Sequence, residues 1–478
     1  MTNPERTSTL PVAVLGAGPV GLAAAAELLE RGETPIVFEQ AGEVGAAVRE
    51  WGHVRIFSPW RYCIDPAAGR FLEATGWVAP AGDTYPTGDE LVERYLRPLA
   101  AVPELARTIR FNARVVAVAR EGMDRMTTAG REERSFEIRV LSAEVPETLC
   151  ARAVIDASGT WGSPNPLGAQ GLPAIGEDAA RDRIYYGIPN VLHGQRDRYA
   201  GRRVLVIGRG HSAFNSLLEL IALKDQVPGT EIVWAIRKTL TNVVFGGGSD
   251  DALPERGRLG ERVHSFVQED QVQLLEAFAV ARVELVPDGV RVLANDGRSV
   301  LVDEVVCATG FRPDLSLTTE LRLGLDEIVE APTALAALID PNLHSCGTVP
   351  PHGEAELAHP EKNYYAVGMK SYGRAPTFLM LTGYEQVRSI AAALTGDAEG
   401  ARRLELVLPK TGVCSGGAVQ AEFTGRLLNL AQATGSCCTA TPGAASGACC
   451  GEAEVAGAEC CEPPVAPANP GGSGKCCA

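Results

Sequence analysis

At 478 residues the chain is long enough for two or three domains, and its 45% hydrophobic and 22% charged composition is that of an ordinary globular protein. The formal charge of -15 argues against nucleic acid or an anionic membrane surface as a main partner, and no apolar run reaches membrane-spanning length. The polar start "MTNPERTST" does not read as a signal peptide, so the expected compartment is a reducing cytoplasm, where clustered cysteines suggest metal or redox chemistry.

The first strong signal is "LPVAVLGAGPVGLAAAAEL". A short apolar strand, Val12 to Leu15, runs into Gly16, Gly18, Pro19 and Gly21, and an alanine-rich helix follows. Gly16 permits the tight turn, Gly18 lets backbone approach a pyrophosphate, and Gly21 lets helix and strand pack closely. The helix N-terminus then points unpaired N–H groups at the phosphates. The next strand, "PIVFE", ends in Glu39, an acid placed to accept hydrogen bonds from a ribose.

The second signal is "RRVLVIGRGHSAFNSLLELI". Strand Val204–Ile207 leads into Gly208, Gly210, His211, Ser212 and Ala213, with alanine standing for the third glycine. The following strand ends in Arg237 and Lys238 rather than an acid, which suits the 2′-phosphate of NADPH. The two units start 192 residues apart, from Gly16 to Gly208, and form an internal repeat.

With both units in hand, the chain resembles two-dinucleotide flavoprotein oxidoreductases, in particular the class B flavin monooxygenases. The resemblance runs over residues 10–398. It implies an α/β fold of two Rossmann-like domains, the NADPH domain inserted in the FAD domain, with FAD and NADPH as cofactors. "ARAVIDASGTW", with Gly159, and "VCATGFRPD", with Gly310, resemble the crossings between domains. "IRFNARVVAV" resembles the strand whose backbone near Val115 contacts the adenine of FAD, and "YAVGMK", with Gly368 and Met369, stands at the last FAD motif. The implied division is an FAD domain over 1–165 and 305–398, an NADPH domain over 166–304, a helical appendage over 399–434 and a disordered tail over 435–478.

The chemistry is less fixed. No CxxC or CxxxxC pair occurs before residue 430, and Met369 replaces the acid that ends the last FAD motif of disulfide reductases. Both features favour a monooxygenase, with molecular oxygen and a small molecule as further reactants. In "RIYYGIPNVLHGQRDRYAGRR", however, Gly187 and His193 are too far apart for the usual monooxygenase motif, which keeps a flavin reductase or oxidase open. His53, Arg55, Trp60, Tyr62 and Cys63 could line a substrate pocket, with Trp60 and Tyr62 fitting a core role better. His359, Lys362, Lys370 and Arg374 could bring a cation to the flavin edge. "FGGGSDDALPERGRLG" reads as a long flexible loop over the nicotinamide cofactor. No catalytic residue is assigned, and the oligomeric state is left open, a dimer among the options.

The tail carries four doublets: Cys437 and Cys438, Cys449 and Cys450, Cys460 and Cys461, Cys476 and Cys477. Adjacent Cα atoms lie about 3.8 Å apart, too close for a relaxed disulfide within a doublet. Paired thiols without histidine suit a thiophilic ion: Zn(II), Cu(I) or trivalent arsenic. "FSPW", "FGGG" and "VGMKSYGRAPTFLMLTGYEQVRS" resemble flavin monooxygenases encoded in bacterial arsenic-resistance operons. The expected function is an NADPH-dependent flavoprotein oxidoreductase of monooxygenase type, linked to soft-metalloid detoxification. Two alternatives stand beside it: a metalloid-binding protein whose flavin body keeps the tail reduced, and a monooxygenase of organic sulfur or nitrogen compounds.

Overall fold

The computed structural model describes residues 9–406, apart from 247, 249, 250, 252, 344–348 and 377. The cysteine doublets and nearly all of the 399–434 appendage lie outside the described residues; helix Ala398–Arg402 is its described beginning.

Two parallel sheets carry the fold. The first joins β1 (Val12–Leu15), β2 (Pro35–Phe38), β3 (Ile109–Arg110), β7 (Ala153–Asp156) and β16 (Tyr364–Ala366) in the order β16-β7-β1-β2-β3. The second joins β8 (Ile184–Tyr186), β9 (Arg203–Ile207), β10 (Glu231–Ala235), β11 (Gln273–Leu275) and β15 (Glu304–Cys307) in the order β11-β10-β9-β15-β8. All five strands of the second sheet lie in sequence between β7 and β16 of the first, so one Rossmann-like half is inserted in the other. β1, β7 and β15 are buried along their whole length, as strands covered on both faces must be, and this is why they read as apolar runs, broken only by Asp156 and Glu304 at strand ends. Each half also carries a three-stranded antiparallel sheet: β4 (Ala113–Arg120), β5 (Phe136–Ser142) and β6 (Val145–Ala151) in one, β12 (Val280–Val286), β13 (Gly289–Ala294) and β14 (Ser299–Val302) in the other.

Helix α1 (Pro19–Glu30) is packed on several sides, and its alanine run explains how. Ala23, Ala24, Ala25 and Ala26 are fully buried, so small side chains let α1 lie close to its neighbours. Larger residues there would overpack the core at a cost of about 1–3 kcal/mol each.

A buried charge cluster ties the first antiparallel sheet to the end of the first half. Glu361 receives Arg120 Nε at 2.7 Å and Arg131 Nη2 at 2.7 Å, and the Arg322 backbone N–H at 3.0 Å. All three charged side chains are at least 95% buried. Burial alone would raise the Glu361 carboxyl, but bonds from Arg131 and Arg120 hold it below its usual range. Glu361→Ala is expected to cost about 3–5 kcal/mol in urea unfolding, because two buried guanidinium groups lose their counter-charge. A carboxyl held low in the folded state stabilises above its unfolded value, and that stability is lost as pH falls through the folded value. The mutant should therefore unfold with a flatter acid limb than the parent.

The "FGGGSDDALPERGRLG" stretch corrects one expectation. Its second half enters helix Pro254–Gln268 instead of forming a loop. A Cβ on Gly257 would lie 2.0 Å from the Gly248 carbonyl oxygen, and one on Gly260 would lie 1.8 Å from that of Phe245. These glycines allow close packing of a helix on the preceding turn. Phe245 is buried and stacks on His264 at 4.5 Å.

Candidate functional site

Each parallel sheet ends in a glycine turn of the same construction. Gly16 has φ +97°, and a Cβ there would meet the Ala157 carbonyl oxygen at 2.9 Å. A Cβ on Gly21 would lie 2.0 Å from the Gly16 carbonyl oxygen. Packing therefore accounts for both residues. Gly18 differs: its φ is -81°, and a Cβ there would meet nothing within 4 Å. Helix α1 then begins at Pro19 with no side-chain cap and no acid in its first turn. Its first N–H groups face the open space beside Gly18 and lack helical partners. An uncapped helix end next to a vacant Cβ position fits a phosphate group.

The second turn repeats this. Gly208 has φ +137°, with the Ala308 carbonyl oxygen 2.2 Å from a would-be Cβ, while Gly210 has nothing within 4 Å. Helix α2 (His211–Gln226) starts at His211, again without a side-chain cap or a first-turn acid. Ala157 N–H bonds the Leu15 carbonyl at 2.9 Å, and Ala308 N–H bonds that of Ile207 at 2.8 Å. In both halves the residue after a neighbouring strand braces the turn. Trp234 Nε1 also donates to the Gly208 carbonyl at 2.6 Å. Ser212 and Ala213 follow in the first turn of α2, Ala213 fully buried against the sheet.

Around the first turn, Glu39 follows β2. Its two oxygens accept the Ala17 N–H at 2.8 Å and the Ala41 N–H at 2.9 Å. Each carboxylate oxygen retains a second acceptor site, so a ribose hydroxyl can still donate to it. Val115 lies in β4, where the register with β5 shifts between Val115 and Ala117 and disturbs the ladder beside its backbone. Gly159 and Gly310 both have positive φ, at +70° and +91°, and the two crossings are joined by Asn165 N–H to the Gly310 carbonyl at 2.9 Å. Gly368 also has positive φ, and Gln386 Oε1 accepts its N–H at 2.8 Å, fixing the turn that carries Met369. Around the second turn, Arg237 and Lys238 are exposed just beyond β10, and Arg237 Nη1 donates to the Ala169 carbonyl at 3.0 Å.

Three of the four basic candidates near the end of the first half are held by acids. Lys370 is buried and taken up by Asp156, with Nζ 2.7 Å from Oδ2 and 3.0 Å from Ser158 Oγ. Tyr364 O–H donates to the same Asp156 oxygen at 3.0 Å. Burial would raise the Asp156 carboxyl, yet the Lys370 ammonium and the Ser158 bonds hold it below its usual range. This pair locks the segment after β16 onto the end of β7. Lys362 pairs with Glu132 and Arg374 with Glu330, while His359 is buried beside Tyr364. In the sequence Asp156 marks only the start of the turn in "ARAVIDASGTW", and Gln386 carries no local signal. "AVID" shows the acid at a strand end, but nothing in it reveals the distant lysine.

The "WGHVRIFSPW" segment runs between the two halves. Glu50 Oε2 accepts Trp161 Nε1 at 2.7 Å, and Trp161 stacks on Phe311 at 4.5 Å. The Phe57 ring lies 5.2 Å from His211, the first residue of α2. Trp60 is core, as its aromatic character suggests, with Arg94 over its face at 5.5 Å. Arg55 is exposed and donates to the Tyr85 carbonyl, and Tyr62 is half-buried beneath Arg61.

Residues 13–333 match the family model described as pyridine nucleotide-disulphide oxidoreductase. The chain belongs to that family. Among curated proteins it is 29% identical over 230 residues to indole-3-pyruvate monooxygenase YUCCA6 of Arabidopsis thaliana, covering 46% of this chain and 47% of that protein. It is 23% identical over 332 residues to flavin-containing monooxygenase FMO GS-OX-like 8 of the same plant, covering 65% and 63%. The chain thus spans about half to under two thirds of the length of these relatives. Among solved structures, bacillithiol disulfide reductase Bdr from Bacillus cereus aligns over 81% of this chain and 99% of its own, with TM-score 0.59 and 18% identity, a likeness of fold.

Pyridine nucleotide-disulphide oxidoreductases bind FAD and NAD(P)H, and the two uncapped turns fit two such dinucleotides. The family name raises the question of a reactive thiol. Burial pushes the thiols of Cys63 and Cys307 up to about 12, so neither is a thiolate near neutral pH. Among the described residues no helix is long and apolar enough to cross a membrane, and no group of three or more His, Cys, Asp or Glu could hold a metal ion.

Proposed function

We propose that this flavoprotein oxidoreductase binds FAD at the Gly16–Gly21 turn and NADPH at the Gly208–Ala213 turn, and acts as a monooxygenase on a small molecule. The observation that carries the reading is the repeated turn: two helix ends without caps, each beside a glycine whose Cβ position is vacant. Bound FAD supplies two-electron transfer from NADPH and reaction of the reduced ring with oxygen. The chain's own residues bind and orient. Glu39 takes the FAD ribose, the first turns of α1 and α2 take the two pyrophosphates, and Phe57 packs the first half against the start of α2. Buried, protonated Cys63 and Cys307 disfavour a dithiol mechanism in the described body.

Arg237 and Lys238, both exposed just beyond β10, support NADPH over NADH, since two cations there suit a 2′-phosphate. Replacing both with Ser should remove about 2–4 kcal/mol of discrimination between the two nucleotides, at about 1–2 per charge-assisted contact. Ratios of kcat/KM measured for NADPH and NADH give the answer; equal efficiency in the parent enzyme removes the assignment.

A soft-ion role for the tail rests on the eight doublet cysteines, and on the resemblance of "FSPW" and "FGGG" to arsenic-linked flavoproteins. In this reading the tail captures trivalent arsenic or an organoarsenical and raises its concentration at the flavin. NADPH and oxygen consumption with and without arsenite or methylarsenite tests it. Deleting residues 435–478 should raise the apparent KM for the metalloid and leave turnover at saturation unchanged. Loss of all turnover at saturation would instead make the cysteines redox partners of the flavin.

A further inference from the structure

Between the halves, one contact has no polar complement. His53 Nε2 lies 3.6 Å from Glu219 Oε1. His53 belongs to the first half, and Glu219 lies on α2 two turns beyond the second glycine turn. The side chains are only 10% and 21% exposed. His53 Nε2 has no hydrogen-bond partner, and the ring bonds the Pro189 backbone, which assigns that bond to Nδ1–H. Nε2 then presents a lone pair to a carboxylate oxygen. Two buried acceptors face each other, an arrangement that is destabilising unless a proton lies between them.

We propose that His53 and Glu219 share one proton across this interface, and that the shared proton is a positioning element that keeps α2 in register with the flavin half for hydride transfer. The inference rests on the reading of the two turns as FAD and NADPH sites. The proton comes from solvent, and the two side chains close from 3.6 Å to hydrogen-bond length to hold it; no other bond is made.

The surroundings fit a proton held by the pair. Glu219 Oε2 accepts the Val191 N–H at 2.9 Å, and the Leu192 N–H also bonds the carboxylate. Burial pushes the Glu219 carboxyl up to about 6 against these bonds, and burial pulls the His53 imidazole below its usual value. Asp89 faces His53 and favours its protonation, while His193 opposes it; Asp89 itself pairs with Arg49 at 3.3 Å. With one proton shared between them, titration would belong to the pair and not to either residue alone. A carboxyl raised in the folded state keeps its proton below about 6 and releases it as pH rises.

The test uses the purified full-length protein and two readouts. Backbone hydrogen exchange, corrected for intrinsic rate, should show segments 50–57 and 189–193 losing protection as pH rises through about 6. In Glu219→Gln the amide N–H replaces the shared proton, so protection should become independent of pH. Anaerobic stopped-flow reduction by NADPH gives the second readout. Below about pH 6, where the pair keeps its proton, Glu219→Ala should slow hydride transfer about tenfold or more, with NADPH affinity and flavin content unchanged, and Glu219→Gln should restore most of the rate. His53→Phe should behave like Glu219→Ala. Equal pH dependence of exchange in parent and Glu219→Gln overturns the proposal, as does full-rate reduction in Glu219→Ala. Loss of flavin or of NADPH binding in the parent would contradict the site reading instead, so the two failures are distinguishable.

Discussion

Gly18→Val is expected to give folded, colourless protein. The position has ordinary extended backbone, φ -81° and ψ -174°, which any residue adopts. A Cβ there touches no protein atom within 4 Å, so valine should cost the fold little. The vacant volume is the approach to the uncapped N-terminus of α1, and a bound pyrophosphate would meet the new methyl groups. Overpacking of about 1–3 kcal/mol, together with one or two lost charged hydrogen bonds of about 1.5–3 kcal/mol each, should weaken FAD binding by roughly 10²–10⁶-fold. Circular dichroism and visible absorption read the two halves of this expectation. A folded Gly18→Val protein that stays fully yellow would place the flavin elsewhere. Gly16→Val is a poorer test, because its Cβ would press on the Ala157 carbonyl whether or not a ligand is present.

Gly210→Val should produce the complementary defect: a yellow protein that NADPH reduces poorly. Its φ of -93° and open Cβ position again separate folding from ligand approach. By the same contacts, NADPH affinity should fall by about 10²–10⁶-fold, while flavin content matches the parent. Reduction by dithionite, which needs no nucleotide site, should proceed normally. A variant that loses flavin as well would show that the second turn supports the first half structurally.

The sequence makes the two-half α/β fold legible because buried parallel strands leave apolar runs, "VAVL" and "VLVI" among them, and because glycine turns have fixed spacing. The insertion of one half in the other follows from "AVID" and "YYA" lying on either side of the second repeat. Lys370 shows where local reading fails. Its charge looks available in "GMKSYG", but folding brings it to Asp156, 214 residues away. Gly257 and Gly260 fail in another way: glycine signals flexibility or close packing with equal force, and only the neighbouring Phe245 and Gly248 carbonyls decide. His53 and Glu219 are separated by 166 positions and carry no motif, so their contact exists only in the assembled interface.

The central claim is that electrons pass from a nicotinamide at the second turn to a flavin at the first. Anaerobic titration of the purified protein with NADPH, followed through the flavin's visible absorption, tests this most directly. The account predicts that the yellow colour bleaches with about one NADPH per bound flavin and returns on admission of air. A protein that holds flavin yet stays oxidised with excess NADPH and excess NADH would contradict it.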